Sequence, residues 1–243
     1  MLDIHSHILP GVDDGPESIE ASIEVLKRMK EQAITHVIAT PHFNAARQDI
    51  DEHKKNVLSS YKQLISACKG IDVPNISIGC EVMYFLGMGK SSGIRELTLC
   101  DSKYLLVEFP FCDLASEMIS DIKEIGDRSG IIPIIAHIER YSSFRNFKKL
   151  LRLVSDGHAY AQVNATSLCN SLHKKQALKL IKKGYISFLA TDSHAIDVRP
   201  PVLNEAIDVI KNELGEQYSD SLINNSKAFC EEIFKPVEDI YAE

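Results

Sequence analysis

No cysteine in this chain of 243 residues has another three positions away, so CxxC pairs are absent. The six that exist, Cys68, Cys80, Cys100, Cys112, Cys169 and Cys230, are scattered. That spacing argues against a thiolate metal site or a disulfide framework and suits reduced, mostly buried thiols. None is followed six positions later by arginine, so a phosphate-binding thiol loop of the C-x5-R type is excluded. Long apolar runs are missing too. Nothing approaches the ~18 residues a membrane span requires, and no basic-then-apolar leader precedes the first strand. The expectation is a cytoplasmic protein without direct membrane insertion. Positive charge is also scarce. Net charge is −7 and no basic tract occurs, which argues against nucleic acid as a partner, because that affinity comes mostly from Lys and Arg on phosphates. With no glycine-rich linker or low-complexity segment, one domain over residues 1–243 is expected.

What is present is a repeating pattern. Short runs rich in Ile and Val alternate with stretches of helical periodicity. Each run stops at a polar residue: His7, His42, Glu81, Glu108, His137, Asn164 and Asp192. These ends fall 27 to 39 residues apart, the size of a strand–helix unit. Ile19, Ile23, Leu26, Met29 and Ala33 step by three and four, as on one helix face. From Pro201 onward, Leu203, Ala206, Ile207 and Ile210 suggest a barrel-covering helix. Seven such units predict an α/β fold with a parallel sheet, most naturally closed as a TIM-barrel-like (β/α)7 barrel.

In such barrels the carboxyl ends of the strands share one mouth, where active sites form. Six of the seven ends carry His, Asp or Glu. His5 and His7, two apart on strand one, point to the same side. The candidates are His5, His7, His42, His137 and His194 with Glu81, Glu108 and Asp192. Asp14, before the Gly15-Pro16 turn, is the ninth, although its neighbour Asp13 could take its place. So many nitrogen and oxygen donors point to two or three ions sharing carboxylate bridges, and to Mn, Fe or Zn rather than thiophilic metals. Four carboxylates against three divalent ions would leave a cationic mouth in an acidic protein, which suits a phosphate substrate.

The motifs DIHSHILPGVDDGP, TPHF, GCE, VEFP, AHIERY and TDSHA…RPP resemble the PHP (polymerase and histidinol phosphatase) family. They are most similar to its bacterial capsular-polysaccharide-type protein-tyrosine phosphatases. The resemblance implies a distorted (β/α)7 barrel and a three-metal site usually active with Mn2+, with iron, zinc or magnesium as alternatives. It implies a tyrosine-phosphorylated bacterial kinase as partner and allows homo-oligomers. Carried over, it assigns His5, His7, Glu81 and Asp192 to one ion. Glu81 bridges to a second, completed by Glu108 and His137, and Asp14, His42 and His194 hold the third. Arg140 and Arg199 match phosphate-contacting arginines, so Arg140, Arg199, His42 and Asp192 form the expected catalytic set. Ile138 stands where relatives often have proline, and the match favours Asp14 over Asp13.

The expected chemistry is in-line attack on phosphorus by a metal-activated water, with the arginines on the equatorial oxygens. A phenolate leaving group, of pKa about 10, needs little proton assistance, and no side chain stands out as general acid. Phe43, Tyr84, Phe85 and Phe111 follow ligand-bearing strands and could flank a phenyl ring, although packing is their default role. His36, His53, His158 and His173 are expected to be structural or solvated. Glu139 reads as a solvated charge, and Asn164 as a hydrogen-bonding neighbour of the ligands. Arg47, Arg95 and Arg145 read as surface groups, with recruitment of an acidic peptide as the alternative. The rival functions are a phosphatase for a small ester such as histidinol phosphate, a metal-dependent amidohydrolase, and a phosphopeptide-docking module without turnover. Glu108, where amidohydrolases commonly carry a bridging lysine, counts against the second.

Overall fold

All seven apolar runs form strands, and every pairing between strands is parallel. This computed structural model describes residues 1–170 and 172–233; residues 171 and 234–243 of the expected 1–243 domain lie outside the described residues. The first strand is β1 (Leu2–Ser6), and the second and third are each broken in two. Their pieces are β2 (His36–Ala39) with β3 (His42–Phe43), and β4 (Asn75–Ile78) with β5 (Glu81–Met83). Then follow β6 (Tyr104–Glu108), β7 (Ile132–Ile135), β8 (Tyr160–Asn164) and β9 (Phe188–Ala190).

The sheet runs β1-β2-β4 on the inner pieces and β3-β5-β6-β7-β8-β9 beyond the breaks. Its outer strands meet where Asp192 N–H donates to His5 O at 2.9 Å and His7 N–H to Ser193 O at 2.8 Å. The result is a distorted (β/α)7 barrel. The breaks are a departure from seven unbroken strands, and each has an identifiable cause. Pro41 has no N–H to offer a ladder. At Gly79 a Cβ would lie 2.7 Å from Leu99 Cδ2, so only glycine lets β4 bend so close to that side chain. Gly79 N–H to Ala39 O (2.9 Å) and Glu81 N–H to Pro41 O (3.1 Å) carry the two strands across the step together. His42 and Glu81 therefore open the short outer pieces rather than close the strands.

The helices are α1 (Ile19–Glu31), α2 (Ile50–Ala67), α3 (Ser116–Ser129), α4 (Phe147–Ser155), α5 (Ala165–Asn170), α6 (Lys174–Lys182), α7 (Leu203–Leu214) and α8 (Glu216–Ile233). Ser18 caps α1 by accepting from Ala21 N–H at 3.2 Å. The helix stops two residues before Ala33, which takes a left-handed conformation (φ 56°) and is exposed, so it does not extend the apolar face. Between β5 and β6 an α-helix is replaced by short 3-10 turns over Met88–Lys90, Ser92–Leu97 and Leu99–Asp101. The run from Gly87 to Gly93, rich in Gly and Ser, is poor helix material. At Gly89 a Cβ would come 2.8 Å from Asp121 O of α3.

One large apolar layer lies between helices and sheet, with Leu26, Met29, Leu64, Ile122 and Leu150 packed on Val37, Val107 and Ile135. A smaller cluster joins Leu2, Ile4, Leu106 and Ile134 to Phe229 and Ile233 of α8. The Phe229 ring is 4.6 Å from Tyr104 and 4.7 Å from Phe188. Those residues start β6 and β9, so α8 covers the end of the barrel opposite the strand carboxyl ends. As expected, α7 buries Leu203, Ala206 and Ile210. The open end is left to polar side chains.

Candidate metal centre

All nine sequence candidates meet at that open end. His5 Nε2 and His7 Nε2 lie 3.2 Å apart, confirming that the two imidazoles share a side. Glu81 sits between them and two further rings. Its Oε1 is 3.2 Å from His5 Nε2 and 3.1 Å from His137 Nε2. Its Oε2 is 3.3 Å from His7 Nε2 and 2.9 Å from His42 Nδ1. Asp192 Oδ1 is 3.5 Å from both His5 and His7. Glu108 Oε1 lies 3.4 Å from His137, and Asp14 Oδ1 lies 3.2 Å from His194 Nε2 and 3.4 Å from His42 Nε2.

The donor atoms converge in overlapping groups: His7, Asp14, His42 and His194; His5, His7 and Glu81; His42, Glu81 and Glu108. His7 and His42 each reach two groups, a tighter mesh than three separate ligand sets. The arrangement fits divalent cations for a reason internal to this chain. Glu81 Oε2 and His194 Nε2 are buried and make no aligned hydrogen bond, a costly state for polar atoms unless something else satisfies them. The donors are all nitrogen and oxygen, which suits Mn, Fe or Zn.

Electrostatics agree. Burial disfavours a charged His137, yet Glu108 and Glu81 outweigh it and push the imidazole up to about 9. Burial likewise opposes charge on His7, and Asp13 and Glu81 raise it well above the ordinary range. His194 goes the other way, down to about 4, through burial and the charge of His7. Without another cation, this nest of carboxylates favours protons on His7, His42 and His137.

A surrounding set of hydrogen bonds aims the rings. Asp13 accepts from His7 Nδ1 at 2.7 Å, from His42 N–H at 3.0 Å and from Gly15 N–H at 3.0 Å. It thereby leaves His7 Nε2 facing the cluster, while Asp14 faces His42 and His194. Gly15 permits this turn, since a Cβ there would lie 2.1 Å from His7 O. Gly15→Ala is expected to cost about 2 kcal/mol or more, read as a lower denaturation midpoint. An unchanged midpoint would show that the loop relaxes freely.

Several residues of this surrounding set escaped the sequence reading. Gln162 Oε1 accepts from His137 N–H at 2.8 Å and lies 3.2 Å from His5 Nδ1. Its Nε2 donates to Asn164 Oδ1 at 2.7 Å, and Asn164 Nδ2 donates to Asp192 Oδ2 at 2.6 Å, the role expected of Asn164. Gln162 was findable, being two before Asn164 on one strand face. Tyr141 OH lies 3.2 Å from His137 Nδ1 and accepts from Phe109 N–H at 3.0 Å. Asp3 is fully buried and accepts from the Thr191 hydroxyl and amide. His137 (φ 31°) and Asp192 (φ 52°) are left-handed residues just past β7 and β9, a backbone choice that turns both side chains into the mouth.

Glu139 contradicts its reading as a solvated charge. It is fully buried and accepts from Ser167 Oγ at 2.6 Å and Asn164 N–H at 3.2 Å. The 3-10 turn over Ile138–Tyr141 rotates it under α5, and burial raises its pKa against the pull of Ser167. Ile138 itself is buried in the core. His36 and His158 lie by strand starts, and His173 before α6. His53 is buried, with Nε2 3.4 Å from Cys80 Sγ.

A cavity of about 460 Å³ opens over the cluster. Arg140 Nη2 donates to Asp192 Oδ2 at 3.0 Å. Arg199 reaches Asp192 Oδ1 at 3.4 Å and Asp14 Oδ2 at 3.2 Å. Both guanidiniums line the cavity. Phe111, 59% exposed, lines it, as does the buried Phe43. Tyr84 and Phe85 do not, and Tyr84 OH is turned to Asp121 at 2.7 Å. Arg47, exposed as expected of a surface group, also lines the cavity, whereas Arg95 donates to Ser129 O at 2.6 Å and Arg145 pairs with Asp113 at 3.7 Å.

Known proteins resemble this chain in sequence and fold. The family model for capsular polysaccharide synthesis proteins CpsB/CapC matches residues 1–231. The tyrosine-protein phosphatase CpsB of Streptococcus pneumoniae is 31% identical over 232 residues, 91% of this chain and 94% of its own. The tyrosine-protein phosphatase YwqE of Bacillus subtilis (strain 168) is 30% identical over 244 residues, 93% of this chain and 90% of its own. A chain from the crystal structures of YwqE and CpsB, called unique metal-dependent tyrosine phosphatases, superposes with a TM-score of 0.84 at 30% identity, over 97% of each chain. Histidinol phosphate phosphatase from Lactococcus lactis matches with a TM-score of 0.57 at 14% identity, over 87% of this chain and 92% of its own, which is a likeness of fold.

Proposed function

This chain belongs to the CpsB/CapC family, and from that premise we propose that it is a metal-dependent protein-tyrosine phosphatase. The observation that carries the proposal is the meeting of nine nitrogen- and oxygen-donor side chains, six of which line one cavity together with two arginines. No cysteine lines that cavity, and Cys80, next to Glu81, is buried beside His53 with its thiol pushed up to about 12. A cysteine nucleophile therefore has no place in the mechanism.

In this reading His5, His7, Glu81 and Asp192 would hold one ion, Glu81, Glu108 and His137 a second, and Asp14, His42 and His194 a third. When bound, such ions supply Lewis acidity toward phosphate oxygens and an activated water. Arg140 and Arg199 bind the equatorial oxygens, for which the planar guanidinium fork is suited. Asn164 keeps Asp192 aimed, Gln162 the His5 ring and Tyr141 the His137 ring. Phe111 packs against the phenyl ring at the cavity edge, and a phenolate departs without a strong acid beside it. The preferred ion is manganese, the substrate is a tyrosine-phosphorylated bacterial kinase, and the chain works as a single cytoplasmic domain. Among the described residues no helix is long and apolar enough to cross a membrane.

The test is phosphate release from a phosphotyrosine peptide with Mn2+, before and after chelation, against histidinol phosphate under the same conditions. Release from the peptide that chelation abolishes is the expected result. Faster turnover of histidinol phosphate would reassign the site to small esters, and no release with any divalent ion would leave a docking module. Metal loading also competes with protons. His7 and His137, both raised, hold protons at neutral pH that must leave before the imidazoles can ligate. Apparent Mn2+ affinity is therefore expected to rise from about pH 6.5 to about 9, with protons released on binding. Titration calorimetry in buffers of different ionisation enthalpy reads this, and a pH-independent affinity would contradict it.

A further inference from the structure

Between Arg140 and Thr191 the chain carries ten Lys and Arg and a single acidic residue, Asp156, in a protein of net charge −7. The charges are dispersed along the sequence, so no basic tract is visible. The fold gathers five of them. Lys148, Lys149 and Arg152 of α4 and Lys179 and Lys183 at α6 line one groove of about 850 Å³, and all five are exposed. Its floor includes Phe147, Leu151 and Leu180, and no carboxylate lines it. Lys149 Nζ reaches Ser116 Oγ at 3.2 Å. Among the described residues the other four cations have no carboxylate within ion-pair distance.

Like charges held this close repel one another and do nothing for the stability of the fold. The groove also lies beside the catalytic cavity. Phe144, at its near end, lies 6.3 Å ring to ring from Phe111 of the cavity edge. Its N–H donates to Tyr141 O at 3.0 Å, on the same turn that carries Arg140.

We propose that this groove docks an acidic, extended stretch of the same polypeptide whose phosphotyrosine enters the catalytic cavity. The inference rests on the phosphotyrosine reading and narrows its substrate class to acidic protein segments. An extended chain advances about 3.3 Å per residue, so carboxylates a few positions from the phosphotyrosine pass over Phe111 and Phe144 into the basic walls. A lipid surface fits less well, because the apolar floor is recessed between two helices, where a single chain reaches and a bilayer face does not.

Phosphotyrosine peptides carrying a short run of glutamates or of glutamines, before or after the phosphotyrosine, test this directly. The wild-type protein is expected to show a KM about 10-fold lower for one glutamate peptide, with the preference fading as salt screens it. Lys148→Glu/Lys179→Glu/Lys183→Glu should erase the preference and leave kcat on p-nitrophenyl phosphate unchanged. The matching Gln triple variant, with circular dichroism on both, separates charge from misfolding. No preference in the wild type, or a preference that survives both variants, overturns the proposal. So does stronger binding to phosphatidylserine vesicles than to the acidic peptide. Fluorescence anisotropy of a labelled glutamate peptide reads docking without turnover. Docking with no phosphate release from any ester would therefore fault the phosphatase reading and not the groove.

Discussion

Glu81→Ala is expected to lower kcat/KM on a phosphotyrosine peptide by at least about 10³-fold, roughly 4 kcal/mol of lost transition-state stabilisation. The two oxygens of Glu81 lie within 3.3 Å of four imidazoles, those of His5, His7, His42 and His137. Its carboxylate is held well below the usual range: burial works against the charge, and His5 and the hydrogen-bonding rings prevail. Remove it and the rings face one another with one anion fewer among them, so bound ions should leave as well. Metal content by elemental analysis should fall together with activity. Glu81→Gln keeps the shape and loses the charge, so it should also lose metal while retaining its circular dichroism. A Glu81→Ala protein with wild-type metal content and wild-type rates would remove Glu81 from the centre of the mechanism.

Arg140→Ala should behave differently. The expected effect is about 10²-fold on kcat, in the range seen when one charge-stabilising donor is removed, with metal content retained. The reason is geometric. Arg140 donates to Asp192 Oδ2, but Asn164 holds the same oxygen at 2.6 Å, so Asp192 stays aimed when the guanidinium goes. What disappears is the set of donors facing the cavity. Arg140→Lys should recover only part of the loss, because an ammonium cannot present the planar fork. If Arg140→Ala lost metal as completely as Glu81→Ala, the arginine would belong to the scaffold of the cluster and not to phosphate binding.

The two variants divide the site as the chain divides it. The cluster was legible because in a parallel barrel each strand end reaches the same mouth, so residue type plus position along the repeat was enough. Gly79 and Pro41, which split two strands, and the Gly-Ser run that replaces a helix were in plain view as residues. Pro41 acts through its own missing N–H, but the effects of Gly79 and Gly89 depended on Leu99 and Asp121, which lie 20 or more positions away. Gln162 and Tyr141 carried no charge to attract notice, and their value lies in which nitrogen of which ring they meet.

Sequence alone therefore pointed to the parallel barrel and to eight of the converging donors, because periodicity and strand-end register are local properties of the polymer, while Asp14 and the two arginines came from the resemblance to the PHP family. Only the tertiary structure decided that Asp13 orients His7 while Asp14 faces the cavity, that Glu139 is buried, and that dispersed lysines on α4 and α6 form one basic groove. Those outcomes turn on backbone dihedrals at single residues and on contacts between distant segments. A one-dimensional pattern does not contain them.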